Sequence, residues 1–232
     1  MTVKNIKGVS IILMKGYDGK SRIKLDPSIK KRLVRALVSD IYKTVIESQN
    51  SNSWECVIAT PNIDLSNFCK KNNMKILDLE KGELNSIFHQ IQNWVVKSNY
   101  DAFILFAGDI PLVQKSLIDK IKDILYDDVK TKRRSLIICP SKKKGISILA
   151  MAPSNLVRIR EQKGTANLKL FKRKMGDGFH YTTIADIGSY LDIDQPEDLC
   201  EVLMLMERNP TYNESGVKVV LREIVTKNLN KT

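Results

Sequence analysis

The chain has 232 residues, within reach of one larger α/β domain, and its hydrophobic fraction of 43% supports a packed core rather than a disordered chain. No apolar run approaches the length that spans a bilayer, and the opening MTVKNIKG lacks a secretory apolar stretch, so a cytoplasmic protein without a membrane partner is expected. The formal net charge of +12 suits polyanions such as nucleic acid, nucleotides or phosphorylated metabolites.

Much of that charge lies in Lys15–Arg35, Lys130–Lys144 and Lys163–Lys174, with no recognition helix, zinc finger or aromatic-basic RNA signature. Cys56, Cys69, Cys139 and Cys200 are far apart, with no CxxC pair, which argues against zinc. Cys56 and Cys139 fall within predicted strands and read as small buried hydrophobes.

The elements alternate along the chain. Val9–Leu13 reads as a covered parallel strand. A basic loop, Met14–Pro27, follows it. A helix from Ser28 to Glu47 is expected next, with Pro27 just outside and Ser28 as N-cap; Leu33, Leu37, Ile41 and Val45 mark its buried stripe. Strands are then expected at Trp54–Ala59, Met74–Leu77, Ala102–Phe106 and Ser135–Cys139. Helices at Leu65–Asn72, Glu83–Lys97 and Lys115–Leu125 fall between them. This order implies a single doubly wound, mainly parallel sheet with helices on both faces, a Rossmann-like α/β fold.

After Pro140 the expected elements are a strand at Ile146–Met151, a short basic helix at Ala166–Lys174, a strand at Ser189–Ile193 and a helix at Glu197–Glu207. A helical tail within about 210–232, with apolar spacing at Val217, Val220, Leu221, Ile224 and Val225, packs either on the domain or on a second subunit in a homodimer. No internal repeat or linker interrupts the chain, so residues 1–232 read as one domain.

Ligands of open parallel sheets bind beyond the carboxyl ends of the strands. The first such loop is MKGYDGKSR. Its GKS fragment is not a P-loop, because Met14 stands where that pattern needs glycine. What remains is either a solvated basic loop or one that wraps a triphosphate with Lys15, Lys20 and Arg22.

The second is ILFAGDIPL, Ile104–Leu112, in which Gly108 ends an apolar strand and Asp109 stands at its tip. This is a ligand for Mg2+ or a turn aspartate that caps the next helix. The third is YLDIDQPEDL. Asp192 and Asp194 share one side of a continuing strand and join Asp109 as candidate metal ligands, although Asp194 with Glu197 also fits a capping box. Two strand-end acids can together hold a bridging metal.

Four fragments in the same order resemble the 2-phospholactate guanylyltransferase family, related to the molybdenum-cofactor guanylyltransferase type of nucleotidyltransferase. They are IILMKGYDGKSRIKLDPSIKKRLVRALVSDIY, KGELNSIF, FAGDIPLV and DIDQPEDL, spread from Ile11 to Leu199. The resemblance implies a nucleotide-diphospho-sugar transferase-like fold. It also implies transfer of GMP from GTP to a phosphorylated three-carbon acid, with release of pyrophosphate, in coenzyme F-420 biosynthesis.

By the same resemblance, Asp109 and Asp192 hold Mg2+ and Asn85 meets the nucleoside. Lys15, Lys20, Arg22 and Gly108 border the nucleotide, with Lys15 also catalytic. Ser147, Gly164 and Thr165 fall in the acceptor region. There the chain departs from the family pattern: Ile146 stands for threonine, Ser147 for asparagine and Asn167 for serine. Lys142–Lys144 and Lys163 are the alternative contacts for the acceptor phosphate. The acceptor is thus 2-phospholactate, phosphoenolpyruvate, 3-phosphoglycerate or another acid. A molybdopterin acceptor is opposed by the lack of an adjacent glycine pair in Leu13–Arg22, and a non-catalytic nucleic-acid-binding protein by the two acids. His89 and His180 read as structural, since an ionised phosphate acceptor needs no general base.

Overall fold

The computed structural model describes residues 6–17, 23–48, 54–142, 145–156 and 179–229. The elements are β1 (Gly8–Leu13), α1 (Pro27–Glu47), β2 (Trp54–Thr60), α2 (Ile63–Lys71), β3 (Ile76–Asp78), α3 (Leu84–Lys97) and β4 (Ala102–Ala107). They continue with α4 (Lys115–Lys130), β5 (Arg134–Pro140), β6 (Ile146–Ala152), β7 (Phe179–Thr183), α5 (Ile187–Tyr190), α6 (Pro196–Arg208) and α7 (Gly216–Leu229). The strands form one sheet in the order β3-β2-β1-β4-β6-β5-β7. Strand β6 runs antiparallel to both its neighbours, β4 and β5, while the other pairings are parallel. The mainly parallel sheet expected from the alternation is therefore present.

Successive residues of a strand point to opposite faces, and the central strands use both. In β4, Phe103 and Leu105 pack with Val9, Ile11 and Val57 against Ile87, Ile91 and Val95 of α3. Ala102, Ile104 and Phe106 face the other way and join Ile12, Cys56 and Ile58 beneath α1, α4, α6 and α7. Helices thus cover both faces. Cys56 and Cys139 are buried, and burial pushes both thiols up to about 12.

Helix α1 starts one residue earlier than expected. Asp26, not Ser28, is its N-cap: the carboxylate accepts from the Ser28 amide at 2.8 Å, and Pro27 takes the first helical position, where no amide donor is needed. The expected stripe is buried and widened by Val34 and Val38.

The tail helix α7 packs on α1. Asp40 in mid-α1 accepts from the Ser215 hydroxyl (2.7 Å) and the Gly216 and Val217 amides (3.2 and 2.9 Å), and Arg32 pairs with Glu223 at 2.7 Å.

After Pro140 one expected element is absent and one strand appears that was not expected. Ser189–Ile193 is not a strand. Asp186 caps a short helix by accepting from the Gly188 and Ser189 amides, and extended chain follows only from Leu191. A glycine is required at 188, since a Cβ there would lie 2.2 Å from the Leu112 carbonyl oxygen. The edge strand β7, beside β5, carries the polar sequence FHYTT and gave no apolar signal. The basic helix expected at Ala166–Lys174 lies outside the described residues.

Candidate active site

The carboxyl ends of β1, β2 and β4 are joined by main-chain bonds. The Met14 amide donates to the Ala59 carbonyl at 3.1 Å, and the Gly108 amide to the Leu13 carbonyl at 2.8 Å. This closeness explains the glycine: a Cβ on Gly108 would lie 2.8 Å from the Leu13 carbonyl oxygen. Lys15, exposed to solvent, and Asp109, half-buried, therefore flank one seam. Gly16 has φ +110° and packs so closely on Asn62 that a Cβ would approach that side chain to 2.7 Å.

The loop is held down at its next residue. The Tyr17 hydroxyl donates to Asp64 at 2.6 Å, Arg35 lies 3.3 Å from both groups, and Lys31 pairs with Asp64 at 2.9 Å. Tyr17 and Lys31 hold the Asp64 carboxyl down to about 2, while burial raises the Tyr17 phenol to about 12. No sequence signal connects these residues, whose neighbourhood is made by α1 and α2 crossing the loop. Lys20 and Arg22 lie outside the described residues.

Across the seam, the Ile193 amide donates to the Asp109 carbonyl at 3.0 Å. One hydrogen bond thereby docks the stretch Leu191–Asp194 on the tip of β4. Leu191 and Ile193 are buried, while Asp192 between them is half-buried with its Oδ1 out of solvent contact. Asp109 is thus itself a partner in this backbone bond and Asp192 immediately precedes the other partner, on a stretch that is not a strand.

Asp194 plays a different local part from the one its spacing suggested. The capping box of α6 is Gln195 with Asp198, and Asp198 accepts from the Asp194 and Gln195 amides at 2.9 and 2.8 Å. The box sits one residue later because Pro196 occupies the first helical position.

Asn85 is the second residue of α3, which follows β3 in the chain, and it is exposed. Ser147 is buried, and its hydroxyl donates to the Cys139 carbonyl at 3.0 Å; that proton ties β6 to β5 rather than reaching into a cleft. Lys142 is paired with Glu201 of α6 and lies 3.9 Å from Asp198. Lys143, Lys144, Lys163, Gly164, Thr165 and Asn167 lie outside the described residues.

The histidines stand apart from the seam. His180 meets the buried Asp128 at 2.7 Å, and His89 is exposed on α3 beside Asn93 at 3.0 Å. Among the described residues no group of three or more His, Cys, Asp or Glu side chains could hold a metal, and no helix is long and apolar enough to cross a membrane.

The family model described as guanylyl transferase CofC-like matches residues 9–226. The chain is 27% identical over 195 residues to the 2-phospho-L-lactate guanylyltransferase of Methanocaldococcus jannaschii, covering 82% of this chain and 77% of that one. Among solved structures, a Desulfovibrio desulfuricans protein whose name places it with nucleotide-diphospho-sugar transferases superposes with TM-score 0.72 at 17% identity, over 94% of this chain and 95% of that one. The 4-diphosphocytidyl-2C-methyl-D-erythritol synthase of Anaerococcus prevotii superposes with TM-score 0.60 at 15% identity, over 88% and 100%. Those two likenesses describe the fold.

The family match and the named relative make this chain a nucleotidyltransferase. The chain is a member of the CofC-like guanylyltransferase family.

Proposed function

We propose that this nucleotidyltransferase moves GMP from GTP to a phosphorylated three-carbon acid and releases pyrophosphate, a step suited to coenzyme F-420 biosynthesis. The observation that carries the reading is the bond from the Ile193 amide to the Asp109 carbonyl, beside the bond from Gly108 to Leu13. They support it because the backbones of Asp109 and Ile193 and the start of the lysine loop meet at the carboxyl ends of β1 and β4.

The two acids fit Mg2+. That ion keeps several waters and is commonly bound by one or two carboxylates together with substrate phosphates, so a third protein ligand is not required. Asp109 and Asp192 would hold it, with Asp194 the further candidate ligand. When bound, the ion supplies charge neutralisation at the α-phosphate and at the leaving pyrophosphate.

The chain's own groups do the rest. Lys15, with Lys20 and Arg22 further along the loop, attracts the triphosphate and offsets the charge that builds on pyrophosphate. Gly108 lets the backbone of β4 approach the loop, and Asn85 meets the nucleoside. The acceptor's phosphate oxygen attacks the α-phosphorus in line as the bond to pyrophosphate breaks. This nucleophile is already ionised near neutral pH, so no histidine base is used, and positioning supplies most of the rate. Ser147 serves this scheme by fixing the β5–β6 edge, and Gly164 and Thr165 remain the acceptor contacts.

The test is pyrophosphate release with GTP, Mg2+ and a panel of 2-phospholactate, phosphoenolpyruvate and 3-phosphoglycerate. Release that needs one of these acids, and that is faster with GTP than with ATP or CTP, supports the reading. Steeply salt-dependent nucleic-acid binding without pyrophosphate release under any condition contradicts it.

A further inference from the structure

Beyond the acids and the lysine loop lies a cleft that the scheme above does not use. It opens at the carboxyl ends of β2 and β3, has a volume of about 180 Å³, and is walled by Pro61, Ile63 and Leu79 on its apolar side and by Ser66, Lys70 and Asp78 on its polar side. Ile63 is 75% exposed, a large apolar side chain left uncovered at the rim. The cleft adjoins the lysine loop, because Asn62, another of its lining residues, is the side chain on which Gly16 packs. A ligand with a flat, partly apolar body here would extend its charged end toward Lys15.

The polar wall is preset. Asp78 ends β3, where it pairs in register with Thr60. The buried Ser66 hydroxyl donates to Asp78 Oδ1 at 2.5 Å, and the Lys70 ammonium donates to Oδ2 at 2.7 Å. The Lys70 and Ser66 contacts hold the carboxyl below its ordinary value, so it is ionised at neutral pH. Each carboxylate oxygen keeps a further lone pair, and the ammonium keeps further donors. The wall therefore offers two fixed acceptors next to a cationic donor.

We infer that Asp78, with Lys70 beside it, reads the base of the nucleotide and selects guanine. The Watson–Crick edge of guanine carries an oxygen acceptor, then a ring N–H donor, then an amino donor. Lys70 matches the first, and the two oxygens of Asp78 match the others. Adenine offers this carboxylate a single donor group, its amine, beside a ring acceptor. Hypoxanthine keeps the oxygen and the ring N–H but lacks the amine. Ser66 acts as a positioning residue, fixing the carboxylate before the base arrives, so the recognition carries little ordering cost. This inference rests on the proposed nucleotide chemistry but concerns only the choice of base.

The test is equilibrium binding of GTP, ITP and ATP, each with Mg2+, to the full chain and to Asp78→Asn, with kcat/KM for pyrophosphate release measured alongside. Asp78 is exposed, so the variant is expected to keep the wild-type melting temperature. The wild type is expected to bind GTP about tenfold or more tightly than ITP, the scale of one lost hydrogen bond to a charged group, and ATP more weakly still. In Asp78→Asn the preference for GTP over ITP is expected to collapse to within about threefold. Ser66→Ala is expected to narrow the same preference without abolishing binding.

A variant that weakens all three nucleotides equally, or that keeps the wild-type preference, overturns the assignment, as does a wild type that treats GTP and ITP alike. Turnover of GTP with an unchanged Asp78→Asn preference would sink only the base reading. Base-selective binding without pyrophosphate release would sink only the proposed reaction.

Discussion

The Ile193 amide lies 3.0 Å from the Asp109 carbonyl oxygen and donates to it, so a residue 84 positions further along the chain is seated on the tip of β4. That bond makes neighbours of Asp109 and Asp192. It also gives each acid an anchored backbone: Asp109 follows Gly108, itself bonded to Leu13, and Asp192 lies between two buried apolar residues. Backbone anchoring of this kind would lower the ordering cost of the proposed sharing of one cation by the two carboxylates.

Asp109→Asn and Asp192→Asn are each expected to lower pyrophosphate release by about a thousandfold while leaving the melting temperature near that of the wild type. Under the proposed sharing of one ion, the double variant is expected to be little worse than either single one. Steady-state kinetics with thermal unfolding checks this. Effects that simply multiply would mean that the two acids work separately.

Gly108→Ala is expected to destabilise the fold by about 1–3 kcal/mol, the range for forced overpacking. The added methyl would meet the Leu13 carbonyl oxygen at 2.8 Å and the Met14 side chain at a similar distance. The seam between β1 and β4 must open to admit it, so activity is expected to fall as well. Denaturant unfolding measures the first effect and kcat/KM the second.

Much of the sheet was legible because its strands are buried on both faces. Val9–Leu13 and Ala102–Phe106 are apolar runs that only a covered strand explains, and the helices between them carry clear stripes such as Leu33, Leu37, Ile41 and Val45. The edge was less legible. β7 is half-exposed, with polar FHYTT carrying no apolar run, and the buried Leu191 and Ile193 imitate a strand because extended chain docked on a strand tip alternates in the same way.

At the site, Asp109 and Asp192 stood out as acids in apolar surroundings. The clamp of Tyr17, Arg35 and Asp64, and the pairing of Ser66 and Lys70 with Asp78, did not. Those contacts depend on how α1, α2 and β3 cross, and no local pattern encodes a crossing.

Asp40→Ala is expected to cost about 1–2 kcal/mol, the scale of a lost helix N-cap, because three donors at the start of α7 lose their acceptor. The loss acts on the packing of α7 against α1 and leaves the seam untouched. Chemical denaturation should show the drop, while KM for GTP should stay within about twofold of the wild type.

Stability is expected to depend on Lys122 at alkaline pH. Its ammonium is buried beside Trp54, donates to the Ser48 hydroxyl at 2.7 Å and to the Ser48 carbonyl at 3.1 Å, and burial lowers it to about 8 from 10.5. The folded state thus binds this proton less tightly than the unfolded chain. Below pH 8 both states carry it, and the burial penalty is fully present. As pH rises from about 8 toward 10.5 the folded state sheds the proton first and the penalty disappears, so this group makes stability rise with pH in that window. Lys122→Met is expected to flatten that rise in a series of urea melts between pH 7 and 10. An unaltered slope would show that another group sets it.

The most direct measurement is anomalous diffraction from crystals of the full chain grown with GTP and Mn2+ in place of Mg2+. A single strong manganese peak within coordinating distance of carboxylate oxygens from both Asp109 and Asp192, and bridged to the triphosphate, is the expected result. Manganese bound away from either acid, or nucleotide bound with those carboxylates turned from its phosphates, would contradict the account.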